Sequence, residues 1–477
     1  MSDSANTLAV RNPRTGANDY VLAVTMPDEI KHAGDVLRRA APKWESDGVA
    51  ARCEAIAKWR DALIARRSEI IAALVLDTGR ARESVLEFDA SMAAMARWAT
   101  RAPGLMAEGA TRDSVVPPMT LTPASVPMGL VAIISPWNFP LLLAVIDTIP
   151  ALAAGCTVMV KPSEITPRFI APFRAALAEV PELAAALSIV AGGPETGAAM
   201  IDVADAVCFT GSVATGRLIA RHCAERLIPA YLELGGKDAA IVLHDADVDH
   251  AARAIAWGGL ANAGQSCLSI ERVFVDRRIY EPFTAALVAA VGALRLNFPD
   301  ANDGEIGPLI AARQAETIEA QLSDALAHGA RALTGGAIEH HGGGLWCPPT
   351  ILVDVNPTMK IMTEETFGPI LPVMAFESDE AALALANGTE FGLSGAVFGT
   401  REHAEAVARQ MQCGAVSVND AALTAVVHDG EKQAFKLSGL GPTRMGDASI
   451  KRFRKSRVLI ENPLLVANPW WFPTARP

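Results

Sequence analysis

The chain of 477 residues has no cysteine framework: its seven cysteines are scattered, odd in number and form no Cys-x-x-Cys pair. That excludes a disulfide-stapled scaffold. Without a compact Cys/His cluster no zinc or other metal site is expected, and a reducing, cytoplasmic setting follows. Aromatic residues are scarce at 5%, so a chain with 51% hydrophobic residues must build its core mainly from Ala, Val, Leu and Ile. Positive charge is in deficit: 42 Lys and Arg face 53 Asp and Glu, a net charge of −11. Such a chain has no electrostatic attraction for nucleic acid or an anionic membrane surface, and neither is expected as a partner. The start, MSDSANTLAVRNPRTG, lacks the basic residues and apolar run of a secretory signal. The most apolar stretch, residues 129–160, is cut by Pro136, Pro140 and Pro150 and includes Asn138 and Asp147. No uninterrupted segment nears the ~20 residues of a membrane span.

The patterns that are present indicate a multidomain α/β protein; the length alone suggests two to four domains. Residues 28–110 read as helical, with EAIAKWRDALIARRSEIIAALVLDTG spacing its apolar residues by three and four and Gly79 as the stop. Residues 113–129, rich in proline and alternating, read as extended arms or edge strands. From residue 129 the pattern becomes β-α-β: GLVAII a buried strand, Pro140 the first residue of a helix that Gly155 ends, CTVMV the next strand, and Thr166-Pro167 the start of another helix. AVCFTGS repeats the strand-turn-helix arrangement, and a second α/β region runs from LELGGKDAAIVLHD to about residue 435. This alternation predicts parallel sheets covered by helices, with ligands beyond the carboxyl ends of the strands. Asn138, Lys161, Glu164 and Ser212 all fall there.

Cys267 sits in NAGQSCLSIE behind the polar, flexible lead-in Gly264-Gln265-Ser266, unlike a core cysteine. A loop thiol needs a depressed pKa or a base to act as a nucleophile, and no histidine lies near it in sequence. Glu233, between Leu232 and Leu234 and followed by Gly235-Gly236, offers a carboxylate in apolar surroundings. Burial disfavours its ionised form and raises its pKa toward that of a useful base; alternatively it simply faces outward from a strand. Asn138 either caps the helix beginning at Pro140 or donates its amide to a developing oxyanion. FTGSVATG, residues 209–216, is a glycine-containing strand-to-helix turn suited to a phosphate, although it lacks Gly-x-Gly-x-x-Gly spacing.

Taken together, SPWNFP (135–140), KPSEITP (161–167), FTGSVATG, LELGGK (232–237), NAGQSC (262–267), EETFGPILPV (364–373), NGTEFGLSGAVF (387–398) and GAVSVN (414–419) resemble the aldehyde dehydrogenase superfamily in order and across nearly the whole chain. The resemblance implies oxidation of an aldehyde to a carboxylic acid with NAD(P). Cys267 would form a thiohemiacetal and then a thioester. Asn138 and the Cys267 backbone N–H would hold the oxyanion, and Glu233 would activate water. It further implies a cofactor site of Trp137, Lys161, Ser163, Glu164, Gly211, Ser212, Gly216, Leu234, Glu365 and Phe367. Glu365 and Phe367 would hold the nicotinamide ribose and ring, and Lys161 and Glu164 the adenosine ribose. A glutamate at 164 accepts from both ribose hydroxyls and repels a 2′-phosphate, so NAD is expected over NADP, with NADP possible. The implied fold is a Rossmann-type cofactor domain (residues 1–110 and 129–235), an α/β catalytic domain (236–435) and a small β oligomerisation element with the C-terminal tail (111–128 and 436–477). SVVPPMTLTPASVP and SRVLIENP would share one sheet and make a homodimer or homotetramer.

The chain departs from the family in GEKQAFKLSGLGPTRMG, where Gln433 and Ala434 replace a glycine pair, and in DAALTAVVHDGEK, where the tunnel aromatics are absent. The substrate pocket is assigned to Leu142, Leu143, Ile146, Ser266, Leu268, Ala421 and Ala422, with no arginine among them. An apolar aliphatic or aromatic aldehyde follows as the substrate. A CoA-acylating relative is disfavoured by Glu233, and an inactive scaffold by Cys267, Glu233 and Asn138 together. ANPWWFP, residues 467–473, is expected to dock on a neighbouring subunit.

Overall fold

The computed structural model describes residues 6–107, 109–465 and 467–472. Strand Leu130–Ile134 shows how the fold is specified. Val131 and Ile133 point into one core cluster, while Leu130, Ala132 and Ile134 point into another on the opposite face. A strand apolar at every position must therefore be covered on both sides, as parallel sheets are. Five parallel strands run in the order Leu187–Ile189, Thr157–Lys161, Leu130–Ile134, Ala206–Thr210, Ala230–Glu233. The chain thus winds outward from Leu130–Ile134 in one direction and then restarts on its other side. That reversal leaves a crevice at the carboxyl ends of Leu130–Ile134 and Ala206–Thr210, where ligands bind in such sheets. Gly439–Leu440, expected in the terminal element, adds an antiparallel edge strand beside Leu232 and Glu233.

Helices Gly48–Ala65, Arg67–Thr78 and Arg82–Leu105 cover one face of this sheet. The continuous helical pattern is broken at Arg66, and Gly79 ends it with φ +73°, a left-handed cap that glycine adopts without strain. Thr166 does not cap a helix: its hydroxyl donates to the Trp137 carbonyl, and the helix starts at Ile170. The delay has a cause in Arg168, whose backbone N–H and guanidinium both bind the buried Asp77 carboxylate and hold the intervening turn. Among the described residues no helix is long and apolar enough to cross a membrane; residues 129–160 are strand, helix and strand.

A second sheet of seven strands runs Arg331–Thr334, Thr350–Val353, Ile370–Phe376, Ile270–Asp276, Asp238–Val242, Ser394–Phe398, Ala415–Val418, all parallel except the first. Ala239 and Ile241 face one core cluster and Ala240 and Val242 the other. Strands Thr120–Pro127 and Arg454–Glu461 pair antiparallel over eight residues in a separate three-stranded sheet. Val458, Leu459 and Ile460 on its outer strand are exposed, as are Trp470, Trp471 and Phe472; Pro473 and the rest of the tail lie outside the described residues.

Candidate active site

Asn138 follows the strand at the switch point, one residue before the N-cap of helix Pro140–Ala153. The helix takes its cap from elsewhere. Phe139 makes no side-chain cap, and the first turn donates instead to Glu87 of the neighbouring helix: Leu141 N–H at 2.8 Å and Leu142 N–H at 3.2 Å reach Glu87 Oε1. Glu87 also accepts from Arg80 at 2.9 Å, both side chains are buried, and the Arg80 guanidinium lies 4.5 Å from the Phe139 ring centre. Burial pushes the Glu87 carboxyl up and the Arg80 guanidinium down, each toward its neutral form, with their mutual attraction opposing. With capping done from a distance, the Asn138 amide turns inward and donates to the Gln265 carbonyl at 3.0 Å. An amide has two donor hydrogens, so one remains for a ligand.

The Cys267 loop is made by an uncommon backbone. Asn262, Ala263 and Gly264 have φ +55°, +52° and +68°, three left-handed residues in succession. Left-handed alanine and asparagine are strained and persist only when the surroundings fix them. Here the fixing groups are polar. Asn262 Nδ2 donates to the carbonyls of Asn138 and Gln265, and Gln265 Nε2 donates to those of Asn262 and Pro308. Gln265 Oε1 accepts from Ile310 N–H at 2.9 Å. A Cβ on Gly264 would lie 2.2 Å from the Gly368 carbonyl oxygen, so only glycine fits. The Cys267 N–H has no protein acceptor among the described residues. Burial pushes the Cys267 thiol up to about 12; Lys432 pulls against this, whereas Glu365, Glu233 and Asp238 add to it. The six other cysteines are also free, and five of them (Cys53, Cys156, Cys208, Cys223, Cys347) are buried on strands or helices or beside them, away from this loop.

Glu233 ends strand Ala230–Glu233, half-buried, with Leu232 and Leu234 in the core on either side. Its carbonyl accepts from Gly211 N–H at 3.1 Å, which ties the base's strand to the FTGS turn. The next two residues are glycines for steric reasons. A Cβ on Gly235 would lie 2.6 Å from Glu365 Oε2, and one on Gly236 2.6 Å from the Cys267 carbonyl oxygen. Cys267, Glu233, Glu365 and Asn138 are therefore brought to one place from four distant segments.

On the other side of the crevice, Ser212 caps helix Val213–Glu225 by accepting from Thr215 N–H at 3.3 Å. The Val213 and Ala214 amides have no protein acceptor among the described residues. Free amides at a helix N-terminus suit a pyrophosphate. Gly216 lets that helix close on Leu234, whose side chain would be 2.6 Å from an added Cβ. Lys161 is buried and donates to Glu164 Oε2 at 3.2 Å and to the Gly192 carbonyl at 2.7 Å, and Glu164 itself is half-buried. Ser163 accepts from Ile165 N–H, a turn-forming bond. Trp137 and Phe367 meet edge to face at 5.4 Å. Phe367 has φ +53° and is fixed by Glu271, which accepts from Thr366 and Phe367 N–H at 2.7 and 2.8 Å and pairs with buried Lys237. The Glu365 carboxyl is enclosed against the glycine pair and burial, with Glu271 nearby, pushes it up to about 8.

A cavity of about 1090 Å³ opens on the face of the Cys267 loop away from this crevice. Leu142, Ile146, Ser266, Leu268 and Ala422 line it. Leu143 and Ala421 do not. Leu142 and Ile146 share a helix face by their four-residue spacing, which turns Leu143 aside, and Ala421 is buried against Gly258. Alanines of helix Arg82–Leu105, with Trp98, Trp257 and Met445, complete a mainly apolar wall. The wall also holds five arginines that the sequence reading placed nowhere near it; three are engaged, whereas Arg82 and Arg253 are exposed and have no partner among the described residues. Buried Arg444 binds Asp147 at 2.7 and 3.1 Å, and Arg97 and Arg101 share Asp447. Asp147, which interrupts the apolar run in sequence, is held below the usual carboxylate range by Arg444 and Arg452 against the effect of burial.

This geometry agrees with what the chain is similar to. Residues 1–459 match the model of the aldehyde dehydrogenase family. The solved structure of the Anabaena variabilis protein PutA, described as a candidate aldehyde dehydrogenase, superposes with a TM-score of 0.96 at 50% identity, covering 98% of this chain and 100% of that one. A Mycolicibacterium smegmatis protein described as a candidate NADP(+)-dependent succinate-semialdehyde dehydrogenase is 33% identical over 472 residues, 98% of this chain and 91% of its own. A Methylomonas sp protein named 4,4'-diapolycopene aldehyde oxidase is 33% identical over 477 residues, 98% of this chain and 88% of its own.

Proposed function

The chain belongs to the aldehyde dehydrogenase family and is an NAD(P)-dependent enzyme of that kind, and on that premise we propose that Cys267, Asn138 and Glu233 oxidise an apolar aldehyde to its carboxylic acid. The observation that carries the assignment is the release of Asn138 from capping by Glu87, which leaves one amide hydrogen beside the free Cys267 N–H. The Cys267 sulfur attacks the carbonyl carbon, and the resulting oxyanion takes hydrogen bonds from those two donors. Bound NAD(P) supplies the acceptor for the hydride that leaves the adduct. The carbon then remains on Cys267 as a thioester. Glu233 takes a proton from water, the hydroxyl adds to the thioester carbon, and the C–S bond breaks to give the acid and free Cys267.

The cofactor residues are proposed as Trp137, Lys161, Ser163, Glu164, Gly211, Ser212, Gly216, Leu234, Glu365 and Phe367. The half-buried Glu164 carboxylate beside Lys161 supports NAD over NADP, since a 2′-phosphate next to it would meet like charge. The apolar cavity wall supports an aliphatic or aromatic aldehyde. The name of the Methylomonas relative, which points to an apolar aldehyde, is in line with this. That of the M. smegmatis relative, which points to NADP and a carboxylate-bearing aldehyde, is not. The exposed apolar residues Val458, Leu459 and Ile460 of the edge strand support a homodimer or homotetramer built on the three-stranded sheet, with the cofactor and catalytic domains at about 1–110 plus 129–235 and 236–435. Hexanal, benzaldehyde and succinate semialdehyde, each assayed with NAD and NADP by absorbance of the reduced cofactor, test the substrate and cofactor together. A higher kcat/KM for succinate semialdehyde than for the apolar pair would remove the apolar assignment. Cys267→Ala must abolish turnover while melting temperature and cofactor binding stay unchanged.

A further inference from the structure

The cavity beside the Cys267 loop holds much more than a short aldehyde. At about 30 Å³ per non-hydrogen atom, the share of a water molecule in the liquid, hexanal fills roughly 200 Å³, and the cavity measures about 1090 Å³. Its length is set by one helix. Arg82 and Arg101, toward the two ends of helix Arg82–Leu105, both line it, and the helix between them, at 1.5 Å per residue, runs for about 28 Å. Ala90, Ala93 and Ala94 line the middle of that stretch, so no long side chain of this helix closes the space there. An extended chain advances about 1.2 Å per bond, as the backbone's rise of 3.3–3.6 Å per three bonds implies. Hexanal therefore covers about 7 Å, a quarter of the length.

A second observation concerns what is left uncovered. Leu86, Trp257 and Val426 are 57%, 43% and 62% exposed, and all three line this cavity. They come from separate elements: helix Arg82–Leu105, helix Val248–Leu260 and the loop that follows strand Ala415–Val418. Single exposed apolar residues are ordinary, but several converging on one groove mark a surface that an apolar molecule covers. The groove reaches the Cys267 loop through Ser266 and Leu268. The molecule that covers it can thus be the remainder of one whose aldehyde stands at Cys267.

We propose that the substrate is a long-chain aliphatic aldehyde whose tail lies in this cavity along helix Arg82–Leu105, against the exposed apolar side chains of its wall. The proposal rests on the site taking apolar aldehydes. A short aldehyde gains nothing from Leu86, Trp257 and Val426, whereas each further methylene laid along the groove leaves water and takes apolar surface with it. A fully buried methylene favours binding by about fourfold, and a half-buried one by about twofold.

The test is a homologous series, hexanal, nonanal and dodecanal, each kept below its solubility limit, with succinate semialdehyde alongside and kcat/KM read from NAD(P)H formation by the full-length protein. The six methylenes that separate dodecanal from hexanal should raise kcat/KM about 60-fold or more, at twofold or better each. The triple variant Leu86→Gln/Trp257→Gln/Val426→Gln should lower kcat/KM for dodecanal about tenfold or more and leave that for hexanal unchanged. Ala93→Phe, at a single exposed position that carries no folding risk from the core, narrows the groove and should lower the dodecanal-to-hexanal ratio as well. A flat series in the parent overturns the proposal, and so does a ratio that neither variant lowers. A flat series that steepens when residues 467–477 are deleted also overturns it, because the groove would then hold the Trp470-Trp471-Phe472 segment of a second copy. Preference for succinate semialdehyde over hexanal removes the apolar reading itself, whereas hexanal preferred in a flat series removes the long chain alone.

Discussion

Replacing Glu87 with alanine removes three interactions at once: the Arg80 ion pair and the two N–H bonds of Leu141 and Leu142. Arg80 and Leu141 are buried, whereas Leu142 is half-buried at the cavity, so water can only partly substitute for the lost carboxylate. Breaking a buried pair from one side typically costs about 3–5 kcal/mol because the other charge is stranded. Arg80 is especially exposed to this loss, since its Nε and Nη1 already lack partners and only Nη2 reaches Glu87. Each stranded helix amide adds about 1–3 kcal/mol, not additively. Glu87→Gln keeps an acceptor for the amides and loses only the charge, so it should fall between parent and Glu87→Ala. The double variant Arg80→Met/Glu87→Leu removes both charges and should be less destabilised than Glu87→Leu alone, because apolar replacement of both partners is often near neutral. Thermal and urea unfolding measure these differences. Activity carries an independent signature: the cap holds the turn that carries Asn138, and a misplacement of about 1 Å can cost about 100-fold in rate. Glu87→Ala should therefore lower kcat at permissive temperature with little change in KM. Parent-like stability and kcat in Glu87→Ala would refute the claim that this glutamate frees Asn138.

Asn138→Ala, which removes one oxyanion donor, should reduce kcat by about 100- to 1000-fold, read in steady-state NAD(P)H formation; a loss confined to KM would assign Asn138 to binding alone. Glu233→Gln should give one NAD(P)H per active site in a burst and then near-arrest, with the acyl group found on the Cys267 peptide by mass spectrometry; a linear trace with no burst would contradict its role as the base. Glu365, pushed up to about 8, is protonated at neutral pH in the cofactor-free protein. Its folded pKa is raised above the usual value, so its contribution to stability is complete below about 4.5 and is lost as pH rises toward about 8. Melting temperature should fall across that window less steeply in Glu365→Gln than in the parent; parallel curves would contradict the assignment.

Local pattern was sufficient to place a proposed site residue where it coincides with a strand end. Asn138, Lys161, Ser212 and Glu233 each follow or close a buried apolar run, and the unbroken apolar character of Leu130–Ile134, buried at every position, makes the run itself readable. The residues missed share another property. Glu87 acts on an amide 54 positions away, Arg444 on a carboxylate 297 away, and Gln265 on Ile310, 45 away. No periodicity encodes such contacts; only the folded arrangement supplies the partner. Asn262 and Ala263 were missed for a different reason, because a left-handed alanine leaves no mark in composition and is imposed by the bonds of its neighbours. The N-terminal hairpin Thr7–Arg11 with Asn18–Ala23 was also unread: its strands are short and mostly exposed, with Val10 and Leu22 the buried positions.

The arginines of the cavity decide how its apolar character should be understood. A count of lining residues would place five guanidiniums beside the substrate, which would suit a second carboxylate. Depth changes that conclusion. Arg444, fully enclosed, holds Asp147 through two bonds, and Asp147 needs Arg444 and Arg452 together to stay ionised where it is buried. Drawing Arg444 toward a substrate anion would strand a buried carboxylate, a cost of several kcal/mol that a new surface-like contact does not return. At the rim Arg97 and Arg101 share the single carboxylate of Asp447, which leaves excess positive charge, but Arg101 is half-exposed and its field is screened by solvent. A short aldehyde with a second carboxylate would therefore leave that charge against the apolar wall between these two zones, unpaired. Arg82 and Arg253, which have no partner among the described residues, are exposed and screened by solvent as Arg101 is; no arginine of the cavity is both free and desolvated, and that is the physical basis for expecting hexanal or benzaldehyde to outrun succinate semialdehyde.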